Sequence, residues 1–215
     1  MDIIKTDRLT DLFSAAAKIF AEKKEELCEM DARMGDGDLG LTMNKGFGAL
    51  PQLLKENEEP DNIGKTLMKS GMKMASLVPS TMGTLMASGI MEGGKRLNGK
   101  EDFNASALAD FWEGFAEGIK KRGKCLPGDR TVLDAADGAA RAAREVLTKD
   151  PQATLEDVAR AAKDGAAAGM EATKDMKPKF GKAAVHEAAA EGVVDQGACA
   201  CYYLADALYG YISGN

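Results

Sequence analysis

Three aspartates lie close together in the glycine-rich stretch DARMGDGDLG, which contains Asp31, Asp36 and Asp38. Carboxylate oxygens are the hard ligands that Mg²⁺ prefers, and water or phosphate oxygens complete its octahedral shell. Two carboxylates inside one turn would repel a bare phosphate, so the pattern makes sense if a cation lies between them. The glycines let main-chain amides approach a phosphate. The stretch therefore predicts a site for one or two Mg²⁺ ions; the alternative is a turn whose carboxylates only cap helices.

The same stretch matches two other patterns, and neither fits its surroundings. Gly35 to Gly40 has the GxGxxG spacing of a dinucleotide-binding turn, but such a turn follows a strand, whereas a helical pattern precedes this one. An EF-hand that began at Asp36 would need a ligating Glu at its twelfth position, where the chain has Phe47. Neither a dinucleotide turn nor a calcium loop is therefore expected.

Three further loops carry groups that could contact a phosphate. Pro79 interrupts a helical pattern, and Ser80 and Thr81 follow it. Their hydroxyls and the free amides of a first helical turn hold an anion or simply cap the helix. The second loop is RGKCLPGDR, and the third is the Lys-, Gly- and Ala-rich segment 177–194, which leads into DQG. This segment is either a mobile loop over a site or a frayed helix.

Apolar residues recur at three- and four-residue spacing along most of the chain, which predicts helices. Residues of the types that cap helix N-termini precede several of them, namely Asn104, Thr131 and Thr154. The pattern predicts eight helices, at about 7–30, 43–54, 63–77, 81–96, 105–119, 132–147, from 155 and at about 195–211.

Eight helices with short connections pack most simply as an antiparallel up-and-down bundle or barrel. We therefore expect an all-α fold and a single domain over residues 1–215. Alternate loops of such a bundle lie at the same end. The acidic stretch, the turn at Pro79, the RGKCLPGDR loop and the segment before DQG are alternate connections, so they are expected to share one rim.

The composition limits the classes of partner. A net charge of −6 with scattered basic residues gives no continuous positive surface, so no nucleic-acid partner is expected. No apolar run reaches the about 20 residues that span a bilayer and no secretory signal is evident, so we expect a cytoplasmic protein with no membrane partner. The cysteines have neither CxxC spacing nor a Cys/His cluster, and the only histidine, His186, does not support a Ser-His-Asp hydrolase.

Four stretches, in order, resemble the nucleotide-binding L subunits of phosphotransferase-system-dependent dihydroxyacetone kinases. They are DARMGDGDLGLTMNKGF, SGMKMAS with the turn after it, RGKCLPGDRTVLDA and DQGACA, and the resemblance covers essentially the whole chain. It implies an eight-helix antiparallel barrel with a nucleotide at one rim, bound ADP or ATP, and two Mg²⁺ ions. It also implies two partners, which are a substrate-binding K subunit and a phosphohistidine donor protein.

The resemblance also implies roles for individual residues. Asp31, Asp36 and Asp38 match the family's magnesium ligands. Lys182 falls where the family often has a basic residue in a flexible loop above the nucleotide, so it is the expected catalytic residue and a nucleotide contact. The other expected nucleotide contacts are Leu39, Gly40, Leu41, Thr42, Ser80, Thr81, Gly123, Val132, Asp195, Gln196 and Gly197.

The chain departs from the family pattern at three places. The family commonly has His where this chain has Leu39, a Gly-rich Ser turn where it has Pro79, Ser80 and Thr81, and Pro where it has Gln196. Leu39 removes a possible phosphate donor, which could change the phosphate affinity or the preferred donor. The substrate could also be another small keto-sugar, such as erythrulose.

Three functions are compatible with these patterns. The first is an ADP/ATP-binding subunit that passes a phosphoryl group from a phosphohistidine protein to dihydroxyacetone held on a K subunit. The chain is too short to include a K domain, so we expect it to be inactive toward sugar when alone. The alternatives are a standalone ATP-dependent keto-sugar kinase and a non-catalytic nucleotide sensor that binds a regulator.

Overall fold

Helices dominate the computed structural model, which describes residues 3–181, 184–185 and 191–214. In these ranges two short strands, β1 (Ile4–Lys5) and β2 (Asp102–Phe103), pair antiparallel. The α-helices are α1 (Leu9–Glu22), α2 (Lys24–Ala32), α3 (Leu39–Glu56), α4 (Ile63–Leu77), α5 (Thr81–Arg96), α6 (Ala105–Gly123), α7 (Val132–Lys149), α8 (Leu155–Ala172) and α9 (Gln196–Ser213). The expected all-α class is confirmed.

The first predicted helix is divided into two at Lys23. This residue has φ −92° and ψ 7°, so α1 ends before it and α2 begins after it. The described residues therefore form nine α-helices where the periodicity predicted eight. The break is invisible in the pattern because Phe20 and Leu27, on either side of it, are both buried. The backbone bonds from Lys23 N–H to Ile19 O and from Leu27 N–H to Lys23 O also persist.

The helices pack largely in chain order. Helix α1 lies beside α3, each helix from α3 to α8 packs against the next, and α9 packs against both α8 and α1. Because the connections are short, chain neighbours run antiparallel, as in an up-and-down bundle. One continuous hydrophobic cluster fills the interior, and within it the rings of Phe20 and Phe47 stack with centroids 4.4 Å apart.

Helices α7 and α8 approach each other through glycines. A Cβ on Gly138 would lie 2.2 Å from the carbonyl oxygen of Gly165, and a Cβ on Gly165 would lie 2.3 Å from the carbonyl oxygen of Gly138. Both distances are far inside van der Waals contact, so a side chain at either position would push the helices apart.

Polar residues cap the helices as the sequence predicts. The side chain of Asn104 accepts the Ala107 N–H, and the Thr154 hydroxyl accepts the Asp157 N–H. Thr131 caps α7, and the Asp134 carboxylate accepts the Thr131 N–H at 2.7 Å. These caps satisfy amides that have no partner inside their helices. Among the residues described, no helix has the length and apolar character needed to cross a bilayer.

Candidate functional site

A cavity of about 520 Å³ lies where four loops meet at one rim of the bundle. This volume is in the range of small-molecule sites, about 300–1,000 Å³. The loops are the four that the sequence placed together. The cavity is lined by Asp31, Met34, Gly35, Asp36, Asp38, Leu39, Pro79, Ser80, Thr81, Met82, Leu85, Arg130, Thr131, Val132, Phe180, Gly181, Asp195, Gln196 and Gly197.

The three aspartates of the acidic stretch converge on this cavity. Asp31, Asp36 and Asp38 each offer a carboxylate oxygen, and these oxygens lie within 4.8 Å of one another. Asp31 is buried in the last turn of α2, whereas the other two are exposed. Three oxygen ligands at this spacing could hold a hard divalent cation such as Mg²⁺.

The Asp31 side chain also organises the loop between α2 and α3. Its Oδ2 accepts the N–H groups of Gly37 at 2.8 Å and Asp38 at 3.1 Å. Gly37 has φ +75°, a conformation that glycine adopts without strain. A Cβ on Gly35 would lie 2.4 Å from Asp31 Oδ1. The glycines therefore allow the loop to fold tightly around one carboxylate.

Four helix N-termini point into the same cavity. The N-cap residues of α3, α5, α7 and α9 are Asp38, Ser80, Thr131 and Asp195, and all four line its wall. Helix N-termini carry partial positive charge and amides that can bind anions. An acidic chain can thus present a locally favourable field to a phosphate. The Ser80 hydroxyl itself accepts the Gly83 N–H at 3.0 Å, so this residue caps α5 as well.

Asp195 is the most deeply buried carboxyl of the site. Burial raises its pKa to about 6, and the Ala198 N–H and the positive charge of Arg130 offset part of that rise. Its carboxylate accepts the Ala198 N–H at 2.8 Å, and its own N–H donates to the Thr173 hydroxyl at 2.8 Å. Asp195 therefore fixes the start of α9 against the end of α8.

Arg130 is a site residue that the sequence did not single out. It is only 2% exposed and has φ +58°. Its Nε donates to Thr173 O at 3.1 Å, and its Nη2 donates to Val193 O at 2.7 Å. It therefore ties the α6–α7 loop to both ends of the segment between α8 and α9. The sequence does not distinguish a buried loop arginine from an exposed one. The only feature that could have indicated Arg130 was its place in the turn after Gly128.

The remaining predicted nucleotide contacts divide into three groups. Leu39, Thr81, Val132, Gln196 and Gly197 line the cavity, as do Ser80 and Asp195. Gly40, Leu41, Thr42 and Gly123 are not among the described residues of its wall. Lys182, the predicted catalytic residue, lies outside the described residues, as does His186.

The four residues outside the wall have definite places in the fold. Gly40 allows close packing, because a Cβ there would lie 1.9 Å from the Lys24 carbonyl oxygen. Leu41 is 56% exposed, and the Thr42 N–H donates to the carbonyl oxygen of Asp38, the N-cap of α3. A Cβ on Gly123 would lie 3.2 Å from Leu85, which does line the cavity. Their predicted nucleotide contacts stay predictions.

A larger groove, of about 920 Å³, runs between α6 and α7. Several of its charged side chains are paired: Arg144 lies 2.7 Å from Glu113, and Lys121 lies 2.9 Å from Glu117. These ion pairs offset much of the positive charge in the groove, which weakens its attraction for a phosphate. The smaller cavity at the rim is the better candidate site.

The two cysteines of α9 do not add a reactive centre. Burial raises the pKa of Cys199 to about 11 and raises the pKa of Cys201 still further. The thiolate is the nucleophilic form of cysteine, so these buried side chains stay protonated and unreactive. They serve as small core residues of α9.

Comparisons with known proteins identify a matching domain family and related kinase subunits. The DAK2 domain pattern matches residues 33–210. The ADP-binding subunit DhaL of PEP-dependent dihydroxyacetone kinase 1 from Listeria innocua serovar 6a is 30% identical over 177 residues, which are 82% of this chain and 82% of that protein. The corresponding Escherichia coli K12 subunit is 28% identical over 127 residues, 59% of this chain and 60% of that protein.

Longer relatives and solved structures contain a comparable region. D-erythrulose kinase from Mycolicibacterium smegmatis is 30% identical over 187 residues, 86% of this chain but only 32% of that protein. The crystal structure of dihydroxyacetone kinase from C. freundii in complex with AMP-PNP and Mg²⁺ matches with a TM-score of 0.67 at 24% identity. That match covers 94% of this chain and 33% of the solved chain, and it shows a shared fold. With the DAK2 match extending over residues 33–210, the chain belongs to the DAK2 domain family.

Proposed function

We propose that this chain is the ADP/ATP-binding subunit of a kinase that phosphorylates dihydroxyacetone or a related small keto-sugar. One observation carries the proposal: three carboxylates within 4.8 Å of one another share a cavity with four helix N-termini. Carboxylates attract cations and helix N-termini attract phosphates, so the two together suit a metal-bound nucleotide. The kinase names of the relatives support a phosphotransferase.

The residues present fit Mg²⁺ as the cation. Asp31, Asp36 and Asp38 supply oxygen ligands only, which is the donor set of a hard ion, and we expect two ions. Gln196 Oε1 is buried in this wall with no hydrogen-bond partner among the described residues, so it can accept a hydrogen bond from a group that the ligand brings. When bound, Mg²⁺ would neutralise phosphate charge during phosphoryl transfer.

The chain's own residues then bind and orient the nucleotide. The first-turn amides of α5, after Ser80, and of α9, after Asp195, can donate to phosphate oxygens. The apolar side chains of Leu39 and Val132 form part of the wall and exclude water there. We assign Lys182 the role of neutralising the transferred group, by its place in the sequence alone. Alignment and charge neutralisation are the main requirements of phosphoryl transfer.

We further propose that two partners complete the reaction. A K subunit would hold the sugar, and a phosphohistidine protein would rephosphorylate the bound ADP. The relatives named as ADP-binding subunits of PEP-dependent kinases support this arrangement. The similarity to D-erythrulose kinase favours erythrulose as a second candidate substrate.

We treat residues 1–215 as one nucleotide-binding domain, which the continuous hydrophobic cluster supports.

A reconstitution experiment tests the proposed function. The purified chain is analysed for copurified ADP and then mixed with a K subunit, dihydroxyacetone or erythrulose, and either a phosphorylated phosphohistidine protein or ATP. We expect sugar phosphate only when the K subunit is present, with the ADP retained as a bound cofactor. Turnover with ATP and no K subunit would instead identify a standalone kinase. Nucleotide binding without transfer in any combination would indicate a sensor.

A further inference from the structure

Gln196 connects the start of α9 to the acidic cluster. It is the first residue of the helix and lines the cavity. Its Nε2 donates to Asp31 Oδ1 at 3.1 Å, across 165 residues of sequence. The side chain therefore touches one of the three carboxylates proposed to hold the cation.

The hydrogen bonds of Asp31 point to Oδ1 as its cation-binding oxygen. A carboxylate has about four lone-pair positions, two on each oxygen. Oδ2 accepts two main-chain N–H groups, from Gly37 and Asp38. Oδ1 accepts Gln196 Nε2 and keeps a second lone pair. A donor on the first lone pair of Oδ1 fixes the direction of the second, which is how outer residues orient a metal ligand.

The chemistry of the amide fixes which way Gln196 faces. If the amide were turned over, Oε1 would face Asp31 Oδ1, and two acceptors would repel each other. Nε2 must therefore face Asp31, which leaves Oε1 buried without a hydrogen-bond partner among the residues that the structure describes. A buried acceptor in this position needs a donor. Ionised phosphate oxygens are acceptors only, whereas a water molecule in the hydration shell of a cation is a donor.

We propose that Gln196 is a positioning residue of the cation site. Its Nε2 holds Asp31 Oδ1 in the ligating direction, and its Oε1 accepts a hydrogen bond from a water molecule in the cation's shell. This inference rests on the proposed function, because it requires that Mg²⁺ binds at Asp31.

Two variants and one control test the proposal through binding alone. Gln196→Met keeps the length of the side chain and removes both amide groups. Gln196→Pro also removes them and suits the first position of a helix. Gln152→Met makes the same change at an exposed glutamine in the α7–α8 connection. For each protein, Mg²⁺ is titrated by calorimetry at a fixed ADP concentration, and ADP is then titrated at saturating Mg²⁺.

We expect both Gln196 variants to need about 10–100-fold more Mg²⁺ for half-saturation, which is typical for the loss of a residue that orients a metal ligand. Their melting temperature should stay close to that of Gln152→Met, and any loss of ADP affinity at saturating Mg²⁺ should be smaller than the change in the Mg²⁺ requirement. An unchanged Mg²⁺ requirement would overturn the inference. A loss of ADP affinity at saturating Mg²⁺ as large as the change in the Mg²⁺ requirement, together with a lower melting temperature, would also overturn it. If the wild-type chain binds ADP without needing Mg²⁺, the proposed function fails as well.

Discussion

The carboxylate of Asp31 holds the main chain of Gly37, whose N–H lies 2.8 Å from Asp31 Oδ2. Asp31 thus has two tasks: it shapes the loop that carries Asp36 and Asp38, and it stands beside them at the cavity. The other two carboxylates are exposed. Removing the charge of Asp31 should therefore affect both folding and binding, whereas removing the charge of Asp36 should affect binding alone.

Asp31→Asn and Asp36→Asn should separate these tasks. We expect Asp31→Asn to lower the free energy of unfolding by about 1–2 kcal/mol, because two hydrogen bonds to a charged acceptor become bonds to a neutral one. Asp36→Asn should leave the stability within about 0.5 kcal/mol of wild type, as is usual at exposed positions. Both variants should lose Mg²⁺-dependent ADP binding. Urea unfolding and calorimetry measure the two effects, and normal ADP binding by Asp36→Asn would remove the cation-site assignment.

Two helix caps of the same kind lie at different places and form a second test. Ser80 caps α5 at the cavity, and Thr154 caps α8 away from it. Ser80→Ala and Thr154→Ala should each lower the free energy of unfolding by about 1 kcal/mol, the usual cost of a lost cap. Only Ser80→Ala should also weaken ADP binding. Equal ADP affinity in the two variants would show that Ser80 serves the helix and not the nucleotide.

The buried Asp195 predicts a particular pH dependence. Its pKa rises from the ordinary 3.8 to about 6 on folding, so the folded state binds more protons than the unfolded state between these values. Stability from this group is therefore lost as the pH rises from about 4 to about 6, by up to about 3 kcal/mol. Asp195→Asn keeps an acceptor for the helix cap but does not titrate. Urea unfolding from pH 4 to pH 7 should show the free energy of unfolding of the variant rising relative to that of wild type by up to this amount. A difference in the free energy of unfolding that does not change with pH would contradict the burial of the charge.

Replacing glycine by alanine should have opposite effects in the contact between α7 and α8 and at an open position of α3. Gly165→Ala places a methyl group 2.3 Å from the Gly138 carbonyl oxygen and should cost about 1–3 kcal/mol. Gly48→Ala lies within α3 with nothing near its Cβ, so it should stabilise by about 0.5–1 kcal/mol through helix propensity. Thermal and urea unfolding compare the two. A neutral Gly165→Ala would mean that the helices can move apart freely.

The helices and the shared rim were predictable because each rests on local chemistry. Periodic apolar residues and the caps at Asn104, Thr131 and Thr154 mark the helices, and alternate short connections bring their loops together. The break at Lys23 was not predictable, since the buried face continues through it and no Gly or Pro marks it. The break between α1 and α2 lies in the backbone dihedral angles of Lys23.

The site was predictable only in part. The convergence of the three carboxylates could be anticipated because Asp31, Asp36 and Asp38 lie close together in a glycine-rich stretch, although the same pattern also suits a helix-capping turn. Arg130 could not, because its role depends on carbonyl groups of Thr173 and Val193 that are distant in sequence. The bond between Gln196 and Asp31 likewise depends on how α9 meets α2. Such contacts follow from tertiary packing and leave no periodic signal.

Calorimetric titration of the wild-type chain, first freed of any copurified nucleotide, with ADP in the presence of Mg²⁺ and then of a chelator tests the central claim most directly. The acidic cluster should exclude the nucleotide without the cation and bind it with the cation, because three carboxylates repel a bare pyrophosphate. We therefore predict saturable binding of one ADP per chain that disappears when Mg²⁺ is removed. No binding under either condition, or equal binding under both, would contradict the account.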